Sequence, residues 1–78
     1  MRVEYDRSVD AAYVLLQEIA AGQVARTYSC DPHEAGAEIN LDFDSAGRLV
    51  GIEVLGASRH LPPALLQGAV PPSPRREP

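Results

Sequence analysis

Hydrophobic and polar residues alternate with a period of two along much of this chain, a pattern typical of strands with one buried face. The alternation is most regular in residues 38–44, where the apolar positions are Ile39, Leu41 and Phe43 and the polar positions are Glu38, Asn40, Asp42 and Asp44. This segment predicts a strand that turns one face to the core and an acidic face outward.

A hairpin is predicted directly after that strand. Residues 44–47 have the sequence Asp-Ser-Ala-Gly, and Gly47 can adopt the positive φ that tight hairpin turns require. The chain then returns as a strand over residues 49–55. Strict alternation there places Val50, Ile52 and Val54 on one face and Leu49, Gly51, Glu53 and Leu55 on the other.

The N-terminal part of the chain predicts further strands. Residues 2–6 alternate, with Val3 and Tyr5 on the apolar side, and residues 24–30 carry the branched and aromatic residues of another strand. Residues 6–10 indicate a turn and residues 31–36 a loop. Residues 11–18 fit either a helix or a strand buried on both faces. The pattern of residues 11–18 alone does not decide between the helix and the strand.

The C-terminal part predicts short helices followed by a tail. Ser58 can cap a helical turn ahead of Pro62, and Pro63 can start a second helical piece that ends at Leu66. Residues 67–78 contain four prolines and predict a disordered tail. We therefore predict one domain over residues 1–66 of class α+β, mostly β: a small antiparallel β-meander sheet with a short C-terminal helical segment packed on it.

Composition narrows the function classes. The chain has 78 residues, so it allows one domain, which buries only about 60% of the surface that its unfolded form exposes. A net charge of −4 with no Lys argues against direct nucleic-acid binding. No apolar run is long enough to span a membrane, and the acidic N-terminus is unlike a signal peptide. With Cys30 as the single cysteine, we expect a cytoplasmic protein.

Two blocks of residues resemble a known family. The first comprises residues 5–6, 10–11 and 13–16, and the second comprises residues 40–44, 47–55 and 57–58. Together they resemble the short, uncharacterised bacterial proteins grouped as domain of unknown function 2283. The resemblance implies a compact β-meander with a C-terminal helix and favours a strand for residues 11–18. Some members of the family look like antitoxin partners of small ribonuclease-type toxins.

One motif suggests a metal site. Residues 42–47 with Glu53 at the twelfth position match much of the calcium-loop pattern of paired helices, whose oxygen ligands would include Asp42, Asp44 and Glu53. Ala46 supplies no side-chain oxygen, however, and both flanks alternate as strands do. The interpretation we favour is an Asp-rich β-turn, and we expect neither a metal nor a cofactor.

The other polar residues favour structural roles. Asp6 and Asp10 flank a turn, where they can accept backbone N–H groups or form an acid–base pair. Glu53 is predicted to be partly buried and paired across strands with Arg26 or Arg48. We assign structural roles to the residues Asp6, Asp10, Gly47, Gly51 and Glu53. No nucleophile motif and no phosphate-binding loop is present.

These observations leave open several functions. We expect a non-catalytic protein-interaction or self-association module, either a homodimer or half of a complex with a small protein. An antitoxin-like variant would use the acidic residues Glu38, Asp42 and Asp44 against a basic ribonuclease-type toxin. The alternative from another class is a small metal-dependent or acid–base enzyme that uses the carboxylates of Asp6, Asp10, Asp42, Asp44 and Glu53.

Overall fold

The computed structural model describes residues 1–72, and residues 73–78 of the predicted tail lie outside the described part. The elements in chain order are β1 (Arg2–Asp6), β2 (Ala11–Leu15), β3 (Arg26–Ser29), α1 (Pro32–Ala35), β4 (Ile39–Phe43), β5 (Leu49–Leu55), α2 (Ala57–His60) and α3 (Pro63–Gln67). None of the helices among these residues is long and apolar enough to cross a bilayer.

The strands form one antiparallel sheet in the order β1-β2-β5-β4-β3. This confirms the predicted fold class, a mostly β protein with a small antiparallel meander sheet and short helices. Residues 11–15 are a strand, as the family resemblance implies. Because β3 lies at the edge furthest from β1, the connection over residues 16–25 crosses one face of the sheet.

Cross-strand register separates the side chains into two faces, since directly paired residues point the same way. The acidic face carries Arg2, Glu4, Asp6, Ala11, Tyr13, Leu15, Thr27, Ser29, Asn40, Asp42, Gly51, Glu53 and Leu55. The acid-free face carries Val3, Tyr5, Ala12, Val14, Arg26, Tyr28, Ile39, Leu41, Phe43, Leu49, Ile52 and Val54. Every Asp and Glu of the five strands therefore lies on one side of the sheet.

Val50 corrects the prediction of strict alternation in β5. The register between β4 and β5 shifts at the step from Asp42 to Phe43, so that Val50 is an extra residue on β5. A bulge of this kind breaks the period of two. Val50 consequently packs with Tyr13, Leu15 and Ile19 instead of sharing a face with Ile52 and Val54.

The two faces are covered by different parts of the chain. Ile19 and Val24 of the 16–25 connection pack on the acidic face against Tyr13 and Leu15. Glu4, which alternation places outward, lies beside Tyr13 on this covered face and is only 1% exposed. Its carboxylate is 3.0 Å from the Arg2 guanidinium.

Helices α2 and α3 cover one part of the acid-free face. Ala57 of α2 forms a buried cluster with Ala12 and Val54, and Leu61 and Leu66 pack against it. Beyond the boundary predicted at Leu66, α3 continues to Gln67 and Val70 pairs with the outer edge of β1. The Val70 N–H donates to the Val3 carbonyl at 3.0 Å, and its carbonyl accepts the Tyr5 N–H at 2.8 Å.

The predicted loop over residues 31–36 contains the short helix α1. The Asp31 side chain accepts the His33 N–H, and Pro32 occupies the first turn. Gly36 ends the helix with φ of 74°. An Asp cap, a proline in the first turn and a glycine after the last turn are ordinary helix boundaries, so the signals for α1 were present in the sequence.

Candidate functional site

Asp42 lies in the middle of the acidic face, between hydroxyl groups from two other strands. The Tyr13 hydroxyl of β2 donates to Asp42 Oδ2 at 2.5 Å, and the Thr27 hydroxyl of β3 donates to Asp42 Oδ1 at 2.6 Å. Charge-assisted hydrogen bonds of this kind are among the stronger ones in proteins. Both carboxylate oxygens of Asp42 are therefore occupied by partners within the sheet.

A glycine makes the contact between Tyr13 and Asp42 possible. Gly51 pairs with Asp42 on one side and with Leu15 on the other, so it lies between the strands that carry the two residues. A Cβ placed on Gly51 would overlap the Tyr13 hydroxyl and ring. The absence of a side chain at Gly51 lets the Tyr13 ring cross β5 and reach β4.

A cavity of about 340 Å³ opens beside this group. Tyr13, Thr27, Asp42 and Glu53 contribute its polar lining, and the 16–25 connection contributes apolar side chains such as Ile19 and Val24. Tyr13, Thr27 and Asp42 in the lining of this recess bond to one another and tie β2, β3 and β4 together.

Glu53 is half-buried, as predicted, with a partner from a neighbouring strand. Its Oε1 accepts a hydrogen bond from Asn40 Nδ2 at 2.9 Å, and the two residues pair directly across β4 and β5. The predicted pairing with Arg26 is wrong. Arg26 lies on the acid-free face, where its guanidinium carbon is 4.4 Å from the centroid of the Phe43 ring, a cation–π contact.

Asp44 organises the turn between β4 and β5. Its Oδ1 accepts the N–H groups of Ala46 and Arg48 at 3.0 and 2.9 Å, and Gly47 has φ of 82°. This is an Asp-rich β-turn and differs from a calcium loop. Among residues 1–72, no three of the His, Cys, Asp and Glu side chains lie together in a group that could hold a metal ion.

The predicted interaction set is divided by the structure. Glu38 is exposed, directly before β4. Asp42 and Asp44 are half-buried, and internal donors bond to their carboxylates. Asp42 lies within β4, and Glu38 and Asp44 flank its two ends; of the three residues, Glu38 alone is exposed.

Asp6 and Asp10 act in separate places at the two ends of their turn. Asp6 Oδ1 accepts the hydroxyl and N–H of Ser8 at 2.6 and 3.0 Å, and these bonds hold the pKa of Asp6 below its ordinary value. The Tyr5 hydroxyl bonds to Asp10 at 2.6 Å and, together with Ser58, lowers the pKa of Asp10. Both carboxylates accept hydrogen bonds from Ser8 or Ser58, as turn-forming Asp side chains do.

Asp10 also connects the first turn of the chain to α2. Its two oxygens accept the N–H and the hydroxyl of Ser58 at 3.0 and 2.7 Å, and its carbonyl accepts the Ala57 N–H. Asp10 itself has φ of 52°, a left-handed conformation that Asp and Asn adopt more readily than most residues. Ser58 was predicted to cap the helix with its own side chain. In the structure, Asp10 is the capping residue, and its carboxylate accepts the N–H of Ser58.

A row of apolar side chains crosses the whole acid-free face. Its members pair directly from strand to strand in the order Val3, Val14, Ile52, Leu41 and Tyr28. None of the five is fully buried, and Tyr28 is 55% exposed. We call these residues the apolar row. Sequence reasoning missed it, because single-strand alternation does not say which residues of different strands lie side by side.

The row ends at an open edge of the sheet. All four residues of β3 are exposed. The Cys30 N–H donates to the Ile39 carbonyl, and by alternation the backbone groups of Arg26 and Tyr28 also bond to β4. The backbone N–H and C=O groups of Thr27 and Ser29 then point away from β4, toward the open edge of the sheet. Within residues 1–72, β4 is the only strand paired with β3.

Taken together, the fold and these sites define a class: a small, mostly β protein whose strand carboxylates all lie on one face of the sheet and whose other face carries no acidic side chain. The chain belongs to the family described as protein of unknown function (DUF2283), whose family model matches residues 2–58. The match runs from β1 to the start of α2 and confirms the resemblance found in the sequence. No curated protein and no solved structure matches the chain.

Proposed function

We propose that this chain is a non-catalytic protein-interaction module and that the apolar row, with the β3 edge, is its interaction surface. The observation that carries the proposal is the row itself. It joins directly paired apolar side chains of all five strands, and each keeps some exposed surface, including Ile52, which borders the cluster that α2 covers. Contiguous apolar surface on a small protein is a feature of interaction sites.

The distribution of charge supports the same surface. The strand carboxylates of Glu4, Asp6, Asp42 and Glu53 lie on the opposite face of the sheet. Burying a carboxylate in an interface without a partner is costly, and the cores of interfaces are depleted in charged residues. A partner that covers the apolar row desolvates no acidic side chain of the sheet.

The bonding of the carboxylates supports the non-catalytic part of the proposal. Asp6, Asp10, Asp42 and Asp44 each accept hydrogen bonds from hydroxyl or N–H groups of this chain. A catalytic carboxylate must instead meet a substrate or a proton in transit. The acid–base enzyme remains the alternative, and binding of a substrate in the recess beside Asp42 would be its first requirement.

An antitoxin-like partner would add an electrostatic element. The exposed carboxylate of Glu38 and the net charge of −4 would attract a basic protein at a distance. Salt separates this variant from a purely apolar contact, because exposed charges are screened within about 10 Å at 0.1 M ionic strength. Binding that weakens steeply with salt supports the antitoxin-like variant, and binding indifferent to salt removes it.

The proposal is tested by one substitution in the row and one outside it. Leu41→Lys places a charge in the middle of the row, whereas Val9→Lys changes a side chain that is 65% exposed in the first turn. Tagged chains would be purified at native level from their own host, and the stoichiometry of co-eluting protein measured. We expect a stoichiometric partner, another protein or a second copy, with the wild type and Val9→Lys and none with Leu41→Lys.

Two further results decide the outcome. Thermal melts must show that Leu41→Lys is folded, and Tyr28→Lys, at the most exposed position of the row, replaces it if it is not. A partner retained by a folded row variant would contradict the proposal, as would a wild type that elutes alone and monomeric.

A further inference from the structure

We propose that the β3 edge binds a second copy of this chain, through antiparallel pairing of the two β3 strands about a two-fold axis at Tyr28. This inference rests on the proposed function, and it names both the partner and the contact. The resulting dimer would contain one continuous sheet made from the two five-stranded sheets.

The two edges of the sheet differ in a way that points to β3. On the β1 edge, the outward carbonyl of Val3 and the outward N–H of Tyr5 are bonded to Val70. On the β3 edge, the outward groups belong to Thr27 and Ser29, and no segment of residues 1–72 pairs with them from outside. Unpaired outward groups on an edge strand are a template for another strand.

The register of β3 fits a copy of itself. With a two-fold axis at Tyr28, Thr27 of each copy lies opposite Ser29 of the other. These are the residues whose backbone groups point outward, so each pair can exchange both of its N–H···O=C bonds. A two-fold symmetric contact uses the same patch on both copies, so the patch must be complementary to itself. Thr27 and Ser29 satisfy this condition, because each lies opposite the other residue of the second copy.

The same axis continues the apolar row. Tyr28 of one copy lies opposite Tyr28 of the other in a non-hydrogen-bonded pair, where side chains approach most closely. Cross-strand aromatic pairs stabilise sheets. The row would then run without interruption from Val3 of one copy to Val3 of the other, and the exposed Tyr28 ring would gain a partner.

Charge favours this edge over other surfaces of the chain. Two copies that each carry a net charge of −4 repel one another, so a contact between them must avoid opposing acids. The sequence of β3, Arg-Thr-Tyr-Ser, contains no acidic residue. In the proposed register Arg26 lies opposite Cys30 of the second copy and next to its Asp31, which places opposite charges near one another.

Ser29→Pro tests the pairing of the two β3 strands through a single group, the backbone N–H of Ser29. Proline removes the outward N–H of Ser29 but leaves the bonds that Arg26 and Tyr28 make to β4, and proline is tolerated on edge strands whose N–H faces solvent. Ser29→Ala is the matched control, because it retains the N–H. The mass of each purified chain would be measured by sedimentation equilibrium over a series of concentrations.

We expect the wild type and Ser29→Ala to form dimers with the same dissociation constant. Ser29→Pro should raise that constant by roughly two- to tenfold for each of the symmetry-related hydrogen bonds lost. A wild type that remains monomeric at every concentration overturns the inference, as does a Ser29→Pro chain that dimerises like the wild type.

A second pair of variants keeps the test decisive if Ser29→Pro disturbs the fold. Tyr28→Lys brings two like charges face to face at the axis, which is destabilising, whereas Tyr28→Phe retains the aromatic pair. Dimerisation must be lost with the first and kept with the second. A monomeric chain whose separate partner is lost with Leu41→Lys would overturn the dimer and leave the proposed function standing.

Discussion

The ring of Tyr13 lies across Gly51, at a distance that leaves no space for a Cβ on the glycine. This contact brings the Tyr13 hydroxyl from β2 over β5 to the Asp42 carboxylate on β4. Thr27 of β3 completes the connection from the other side. A polar network thereby links three of the five strands of the sheet, β2, β3 and β4.

Gly51→Ala should destabilise the protein. The added methyl group overlaps the Tyr13 ring, so the ring must move and the bond to Asp42 must weaken. Overpacking of this kind typically costs about 1–3 kcal/mol. Gly68→Ala is the control, because the nearest atom to its Cβ would be at 3.8 Å. Urea denaturation that gives both variants the same free energy of unfolding would refute the steric role of Gly51.

Tyr13→Phe should remove the hydrogen bond to Asp42 while keeping the packed ring. Tyr13 is 3% exposed, so the loss of the hydroxyl leaves Asp42 with one donor fewer inside the sheet. We expect the free energy of unfolding to fall by roughly 1–3 kcal/mol. Tyr28→Phe, which changes an exposed ring, should be neutral in the same assay. Equal stability of Tyr13→Phe and the wild type would show that the bond contributes nothing.

The pH dependence of stability should contain a contribution from Asp10. Hydrogen bonds from Tyr5 and Ser58 lower the pKa of Asp10 in the folded state below its ordinary value of 3.8. The unfolded chain therefore binds more protons in the window between the two values, and stability rises with pH there. This contribution is complete above pH 3.8 and is lost as the pH falls through the folded-state pKa.

Asp10→Asn isolates that contribution. Asn tolerates the left-handed backbone at this position and can still accept hydrogen bonds, but it does not titrate. Thermal melts should show a shallower loss of stability on the acid side than in the wild type. Asp6→Asn should also make the acid-side loss of stability shallower, because the Ser8 bonds lower the pKa of Asp6 as well. An unchanged acid-side slope in Asp10→Asn would contradict the assignment.

Val70→Pro should open the β1 edge. The proline lacks the N–H that Val70 donates to the Val3 carbonyl. Hydrogen–deuterium exchange should become faster at the Tyr5 amide, which the Val70 carbonyl now accepts. Val70→Ala retains both backbone bonds and should exchange as the wild type does. If Tyr5 exchanges equally in both variants, Val70 does not protect this edge.

The sequence predicted those parts of the fold that depend on local pattern. Regular alternation over residues 38–44 and the Asp-Ser-Ala-Gly turn identified β4 and its hairpin, and both are present. The segment that became β2 was ambiguous from its own residues, because it is apolar on both faces. The family resemblance decided that case, and the structure agrees.

Features that depend on contacts distant in sequence were not predictable. Val50 changes face because β5 carries one residue more than β4 at the bulge, which alternation within one strand cannot show. Glu4 is buried on the face of the sheet that the 16–25 connection crosses, beside Tyr13. Arg26 lies over Phe43 because the two are paired across strands. The apolar row was missed for the same reason, since it exists only once the register of the five strands is fixed.

Two copies of this chain should pair through their β3 edges, and the backbone amide of Ser29 reports on that pairing. Its exchange with deuterium can be measured by NMR at increasing protein concentration, with the exposed loop residue Ala21 as an internal reference. We predict that exchange at Ser29 slows as the concentration rises, while exchange at Ala21 does not. Exchange at Ser29 that stays as fast as in an unpaired strand at every concentration would contradict it.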